Sequence, residues 1–495
     1  MIEIKNLPRE GEQKHKEKKE KTSISNIVFT NGQQLAVEGL SEFIDSSFDE
    51  KRYIYGLIGP AGVGKTFILK YVIENCRFTN SVIRLCTPTH KACRVFSQAM
   101  GGLPTFTFQS TFGFRPNMSL VDFDPNNPAF RPVADPKLEN IVLLIVDEAS
   151  MLPATVVRYI NDTCRDKRIK IIYCGDDNQL PPPEEHQSTA FYVCNKTFRL
   201  TEIVRQGEDN PVLFLLDLIR KDIKNNTHNS IAFIAKNKGK QFYNSQGEGY
   251  SIVGNNEFSG IVNDKFVDPA YHKNINKYKL IAYTNARVSM WNNYIRNIII
   301  DDAQHQIITP DDLMMSYVTL VDEFLSVIIN NSEEYIINDI VNYTDAAYGL
   351  KGYNIRFQMV NGGQITKPLF VINHFDKFTI LKYIKTLDEL ARDAKMAGGG
   401  TRAAKWKKYY DFKNNYLIAQ NIIRNDKIAY SRDLDYGFAL TSHKSQGSTY
   451  ENVFVDATDI IFSSTGQPYG NINETLRRLY VACSRTSNEL IISYM

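Results

Sequence analysis

The stretch Gly59-Pro60-Ala61-Gly62-Val63-Gly64-Lys65-Thr66 constrains this chain more than any other. It carries the full G-x-x-x-x-G-K-[ST] pattern. The apolar run Tyr53-Ile54-Tyr55-Gly56-Leu57-Ile58 before it reads as a buried strand, and Phe67-Ile68-Leu69-Lys70-Tyr71-Val72-Ile73 after it reads as a helix. Strand, glycine-rich loop and helix make a phosphate cradle. The glycines let backbone N–H groups turn inward without Cβ clashes, and the helix N-terminus adds its positive dipole end. Lys65 is expected to reach the β- and γ-phosphates, and the Thr66 hydroxyl to ligate Mg²⁺. A chance glycine turn is the bland alternative, and it does not account for the strand and helix on either side. The cradle alone implies a bound nucleoside triphosphate and nothing about its use.

Length and composition narrow the class. A chain of 495 residues suggests about three domains. No apolar run approaches the roughly 20 residues of a membrane helix, and the N-terminus lacks a secretory h-region. The expectation is an intracellular, cytoplasmic protein. Cys76, Cys86, Cys93, Cys164, Cys174, Cys194 and Cys483 show no C-x-x-C pair and no finger spacing, so they read as reduced thiols. Net charge is only +3, so a polyanion partner requires local basic patches. Residues 1–22 are polar and charge-dense, and read as a solvated tail, with a nucleic-acid tether as the alternative.

Before the loop, Phe29-Thr30-Asn31-Gly32-Gln33-Gln34 precedes a helical pattern. A glutamine amide at Gln33 suits the adenine N6/N7 edge, and a plain helix start explains the same residues. After the loop, a strand ending at Cys86 leads into Thr87-Pro88-Thr89-His90. Hydroxyls there suit a phosphate backbone, and an ordinary N-cap at Thr89 suits them equally. Thr107-Phe108-Gln109-Ser110 follows, and then residues 111–136 read as an irregular insertion. The apolar strand from Ile141 to Val146 ends in Asp147-Glu148-Ala149-Ser150. That pair divides labour, with Asp147 on the Mg²⁺ shell and Glu148 activating water. Gly175-Asp176-Asp177-Asn178-Gln179 closes a further strand and puts Gln179 where it can sense the γ-phosphate. Alternating strands and helices over residues 50–200 imply a doubly wound parallel sheet with ligands at the strands' C-terminal ends.

The second half opens with Leu280-Ile281-Ala282-Tyr283-Thr284-Asn285. Residues 301–429 change character, with short β-like runs and then a helical segment. In that segment Arg402, Lys405, Lys407, Lys408 and Lys413 interleave with Trp406, Tyr409, Tyr410 and Phe412. Such a mix suits a single-strand platform, although Ala403, Trp406 and Tyr410 fit one helix face and read better as a core stripe. The chain then reaches Thr441-Ser442-His443-Lys444-Ser445-Gln446-Gly447-Ser448-Thr449 and, near its end, Val481-Ala482-Cys483-Ser484-Arg485-Thr486.

Taken in order, these segments together with Arg205 resemble superfamily-one DNA helicases of the RecD/Dda group, from about residue 29 to 490. Lys405-Trp406-Lys407-Lys408-Tyr409-Tyr410 looks closest to phage Dda-like members. The resemblance implies an α/β fold with two RecA-like P-loop motor domains, residues 23–200 and residues 201–300 with 430–495. A strand-splitting pin would lie in 111–136, with Phe114, Phe123 or Phe130 as its wedge. An SH3-like β-rich domain would lie in 301–429. The resemblance further implies that Gln33 reads adenine and that Gly59, Pro60, Ala61, Gly62, Val63, Gly64, Lys65 and Thr66 hold the triphosphate. Gln179, Arg205, Arg485 and Gly447 would surround the γ-phosphate, the arginines from across a cleft. Thr89, His90, Thr107, Asn285, Thr441 and His443 would line a single-strand track. Gln109 departs from the group, which usually has histidine there, and Thr486 stands in place of alanine.

The expected activity is ATP- and Mg²⁺-dependent translocation on single-stranded DNA, 5′ to 3′, with unwinding of forked duplexes in replication, recombination or repair. The expected protein is a monomer, with single-strand-binding or replisome proteins as candidate partners and no membrane partner. The rivals are a translocase that remodels without processive unwinding, a nucleotide switch or polynucleotide kinase, and an RNA-directed enzyme.

Overall fold

The computed structural model describes residues 28–495 apart from 115–131, 184, 203–208, 270, 272–273, 311, 323–326, 361 and 425–426. The chain divides into two compact units. Unit 1 is Met1–Ser251 with Ser445–Thr449 and Ile461–Leu490; unit 2 is Ile252–Lys444 with Tyr450–Ile460 and Ile491–Met495.

Unit 1 is built on strands β1 (Ile54–Ile58), β2 (Ile83–Thr87), β3 (Thr105–Thr107), β4 (Leu143–Val146), β5 (Lys170–Gly175) and β6 (Lys196–Arg199). They form one sheet in the order β3-β2-β4-β5-β1-β6, and every neighbouring pair is parallel. A parallel sheet needs cover on both faces, and β1 has it. Tyr55 and Leu57 join a core with Ala36, Leu40, Ile68 and Val72. Ile54 and Ile58, pointing the other way, join Phe108, Val157 and Ile160. Because all six strands run the same way, the chain leaves each of them at one edge. That edge gathers residues 59–64, 87–90, 107, 147–148 and 175–180.

Two sequence expectations change in this unit. Thr111 and Phe112 complete the helix Phe108–Phe112 and do not open an irregular insertion. Phe114 is not a free wedge: it is 6% exposed and packs edge-on against Phe108 and Tyr159, with centroids 5.8 and 5.4 Å away. Phe123 and Phe130 lie outside the described residues.

In unit 2, strand Tyr278–Ala282 runs parallel to Ala439–Thr441 on one side and Tyr450–Asp456 on the other. A separate five-stranded antiparallel sheet has the order Leu369–Ile372, Lys351–Met359, Glu334–Thr344, Leu313–Ser316, Leu434–Tyr436. Helices Lys377–Met396 and Arg402–Asn415 follow its strand 369–372 in the chain. The stripe expected to be core on the second of these is not. Ala403 is exposed and so is Tyr410, at 48%. The buried face is the other one, where Phe412 and the partly buried Tyr409 join Tyr383, Leu387 and Tyr416. Tyr410 and Phe412 sit about 200° apart round a helix of 3.6 residues per turn, so only one of them can face the core. Among the described residues no helix is long and apolar enough to cross a membrane.

Candidate nucleotide site and strand-contact residues

The phosphate loop leaves β1 and enters the helix Lys65–Asn75. Gly62 and Gly64 have φ of 86° and 87°, a region that side chains disfavour. A Cβ on Gly59 would stand 2.6 Å from the Leu200 carbonyl oxygen. The Lys65 ammonium donates to the carbonyls of Gly59 and Pro60 at 2.7 and 2.8 Å. Pro60, Ala61 and Val63 complete the turn, and Thr66 is half-buried at the second position of the helix. Gln33 is buried. Its Nε2 donates to the Val63 carbonyl at 3.1 Å, and its Oε1 accepts from the Thr30 N–H at 3.2 Å. Thr30 and Gln33 thus form a reciprocal cap on the helix Asn31–Asp45, and the same glutamine ties that helix to the loop.

Asp147 and Glu148 follow β4 and are half-buried. Loss of solvent raises both carboxyls above their usual range; for Glu148 the neighbouring Asp147 adds to this, while Arg485 and Lys65 oppose it. Glu148 also has a left-handed backbone, φ 52°. Such a conformation is uncommon for a residue with a side chain and concentrates at functional sites. Gly447 (φ 71°) is close by, since a Cβ on it would stand 3.8 Å from Glu148 Oε1. Arg485 is 4% exposed. Its Nε donates to the Val481 carbonyl at 3.0 Å and its Nη1 to the Ser448 carbonyl at 3.2 Å. Gln179 is 5% exposed, and its buried Oε1 has no hydrogen-bond partner among the described residues. These features fit a triphosphate with Mg²⁺. The glycine cradle suits phosphate, and two adjacent carboxyls held up by burial suit a divalent cation. Thr66 and Asp147 could hold that cation with phosphate oxygens and water, as Mg²⁺ prefers.

Residues that the sequence reading did not single out hold the 176–180 loop in place. Tyr480 Oη donates to Asp176 Oδ2 at 2.7 Å. Arg477 Nη1 donates to the carbonyls of Asp177 and, at 3.0 Å, Gln179. Gln446 Nε2 donates to the Leu180 carbonyl at 3.1 Å, and Arg199 forks onto Asp177. Arg477 and Tyr480 are three apart on the helix Ile472–Cys483, so they share a face. An arginine and a tyrosine at that spacing, just before Arg485, were the available signal.

The proposed strand contacts fall into two groups. In unit 1, Thr89 caps the helix His90–Ala99 by accepting from the Ala92 N–H, and His90 is that helix's first residue. Thr107 is 4% exposed and caps the helix Phe108–Phe112 through the Ser110 N–H. Gln109 reaches the Pro88 carbonyl at 3.5 Å and links the two segments. In unit 2, Asn285 is exposed just beyond strand 278–282, and His443 is half-buried just beyond strand 439–441. Thr441 is 8% exposed, and its hydroxyl accepts from the Lys444 N–H at 3.2 Å. Arg205 lies outside the described residues.

Known proteins match this chain along most of its length. The AAA domain family matches residues 38–236, and the UvrD-like helicase C-terminal domain family matches residues 436–493. An uncharacterized protein of Acanthamoeba polyphaga mimivirus is 25% identical over 94% of this chain and 99% of its own length. The ATP-dependent DNA helicase dda of Enterobacteria phage T4 is 22% identical over 92% of this chain and 97% of its own. The ATP-dependent DNA helicase Pif1 of a Psychrobacter species is 29% identical over a shorter stretch, 26% of this chain and 19% of its own. With its motifs in order, two matching domain families and a helicase relative matching 92% of its length, the chain belongs to the superfamily-one helicases of the Dda and Pif1 kind.

Proposed function

We propose that this chain is an ATP-driven DNA helicase that moves 5′ to 3′ along single-stranded DNA and opens the duplex ahead of it. One observation carries the reading. Lys65, Asp147, Glu148, Gly447 and Arg485, far apart in sequence, converge in one unit, and Gly447 belongs to the same short segment as the strand-contact candidates Thr441 and His443. Fuel chemistry and strand contact thus share one piece of chain.

The chain's own groups divide the work. The loop N–H groups and Lys65 bind the phosphates, and Gln33 is placed beside the loop for the adenine. Glu148, as a carboxylate, takes a proton from the attacking water, which Gln179 orients through its side-chain oxygen. Arg485, with Arg205 as the second arginine, offsets charge that develops on the γ-phosphate. Mg²⁺ bound with the triphosphate supplies further positive charge at the phosphate oxygens. Thr89, His90, Thr107, Asn285, Thr441 and His443 hold the strand, chiefly by its backbone.

The test is ATP hydrolysis with and without single-stranded DNA, followed by unwinding of duplexes with a 5′ or a 3′ tail. Stimulated hydrolysis with opening from the 5′ tail supports the proposal. Opening from the 3′ tail sinks the polarity. Stimulation without strand separation favours a translocase that remodels but does not unwind. Hydrolysis indifferent to DNA overturns the motor reading.

A further inference from the structure

Within unit 2, Asn285 is held by Arg432, which the motifs do not include. Asn285 and the segment Thr441–Lys444 start where two neighbouring parallel strands end, in the register Ala282 to Thr441. Behind them lies Arg432, 6% exposed. Its Nη1 bonds Asp435, and its Nη2 donates to Asn285 Oδ1 at 3.0 Å and to Tyr317 Oη at 2.9 Å. The guanidinium also lies over the Tyr317 ring, 4.2 Å from its centroid, and the Lys444 ammonium lies 4.7 Å from that same centroid. Lys444 donates in turn to Asn331 Oδ1 at 2.7 Å and Ser332 Oγ at 2.9 Å.

A carboxamide has two unlike ends. With Arg432 donating to Oδ1, the Asn285 side chain is turned so that its NH₂ is the end left for a ligand. An NH₂ donor suits a phosphate or base oxygen; an amide turned the other way would set an oxygen against phosphate. We propose that Arg432, with Tyr317, is a positioning residue for strand binding, fixing the Asn285 amide as a donor and bracing Lys444 through one shared ring. Tyr317 follows the antiparallel sheet's strand Leu313–Ser316. The β-rich insertion thereby acts on the strand grip through Tyr317, with Asn331 and Ser332 holding Lys444. The inference rests on the proposed role of Asn285 as a strand contact.

The test measures binding of a fluorescent oligothymidylate to the full chain and to Asn285→Ala, Arg432→Lys, Tyr317→Phe and the double variants with Asn285→Ala. The DNA concentration for half-maximal ATPase stimulation is measured alongside. Asn285→Ala and Arg432→Lys should each weaken binding about three- to tenfold, what one hydrogen bond is worth. The half-maximal concentration should rise in step, with the rate at saturating DNA changed far less. Neither Arg432→Lys nor Tyr317→Phe should add to the loss once Asn285 is alanine. Additive losses overturn the positioning role and leave the helicase reading standing. Should Arg432→Lys fail to fold, Tyr317→Phe decides by the same criterion. Unchanged binding by Asn285→Ala removes Asn285 from the track, and a wild-type chain that binds no single strand overturns the functional reading itself.

Discussion

Each unit holds an acidic group sunk in protein, and the two are built in opposite ways. In unit 2, Asp312 is 0% exposed and saturated. Arg296 forks onto it through Nε and Nη2 at 2.8 Å each, and Thr309 adds its N–H at 2.7 Å and its hydroxyl at 3.0 Å. Arg296 Nη1 is occupied too, by the carbonyls of Ala303 and Gln306. In unit 1, Asp147 and Glu148 stand side by side while Lys65 and Arg485 are anchored on backbone carbonyls nearby. Their carboxyls are raised, which means the surroundings undercompensate the charge. A saturated cluster fixes a fold. An undercompensated one keeps its capacity for a ligand and for a proton, and it is the unit 1 pair that stands among the phosphate-loop residues.

The largest effect that tests this contrast is at Arg485. Arg485→Ala should lower ATP turnover by about 10³-fold or more while nucleotide binding, followed by a fluorescent analogue, is largely kept. Normal turnover would remove Arg485 from the reaction.

Glu148→Gln should lower turnover by about 10²- to 10⁴-fold and change stability with a definite sign. A carboxyl raised from 4.5 to about 7 on folding binds more protons in the folded chain, so its ionisation lowers stability as pH rises across that interval. Thermal melts without nucleotide should therefore show the glutamine variant gaining on wild type at pH 8 and not at pH 4.5. An equal difference at both pH values contradicts the undercompensated description.

Asp312→Ala should do the reverse, costing about 3–5 kcal/mol by leaving Arg296 buried without its partner. Chemical denaturation reads this directly, and a cost below about 1 kcal/mol would mean that the cluster does not brace unit 2. The smallest effect belongs to the exposed ring Tyr410, where alanine should change stability by no more than about 0.5 kcal/mol. A loss typical of a core aromatic would restore the Ala403–Trp406–Tyr410 stripe as a buried face.

Much of unit 1 was legible because its motifs are local. A glycine loop after an apolar strand, or an acidic pair at a strand end, announces its position within ten residues. The parallel order of β1 to β6 then brings those strand ends to one edge. What escaped were pairs made at a distance. Tyr480 and Asp176 lie 304 positions apart, and Arg432 and Asn285 lie 147 apart; neither residue of either pair marks the other. The helix 402–415 escaped for a different reason. Both of its faces carry aromatic residues, so periodicity could not choose between Tyr410 and Phe412. The left-handed backbone at Glu148 escaped because an Asp-Glu-Ala-Ser string carries no sign of φ.

The 2.6 Å between a Cβ at position 59 and the Leu200 carbonyl has a consequence for how variation in the phosphate loop is interpreted. Gly59 answers to two masters, the ligand that its backbone would approach and the end of the edge strand β6 pressed against its back. Selection at this position would persist in a descendant that had given up nucleotides altogether. An intact glycine here therefore testifies to the sheet as much as to the fuel, and the fate of Lys65 and Glu148 is the better guide to whether a relative still runs.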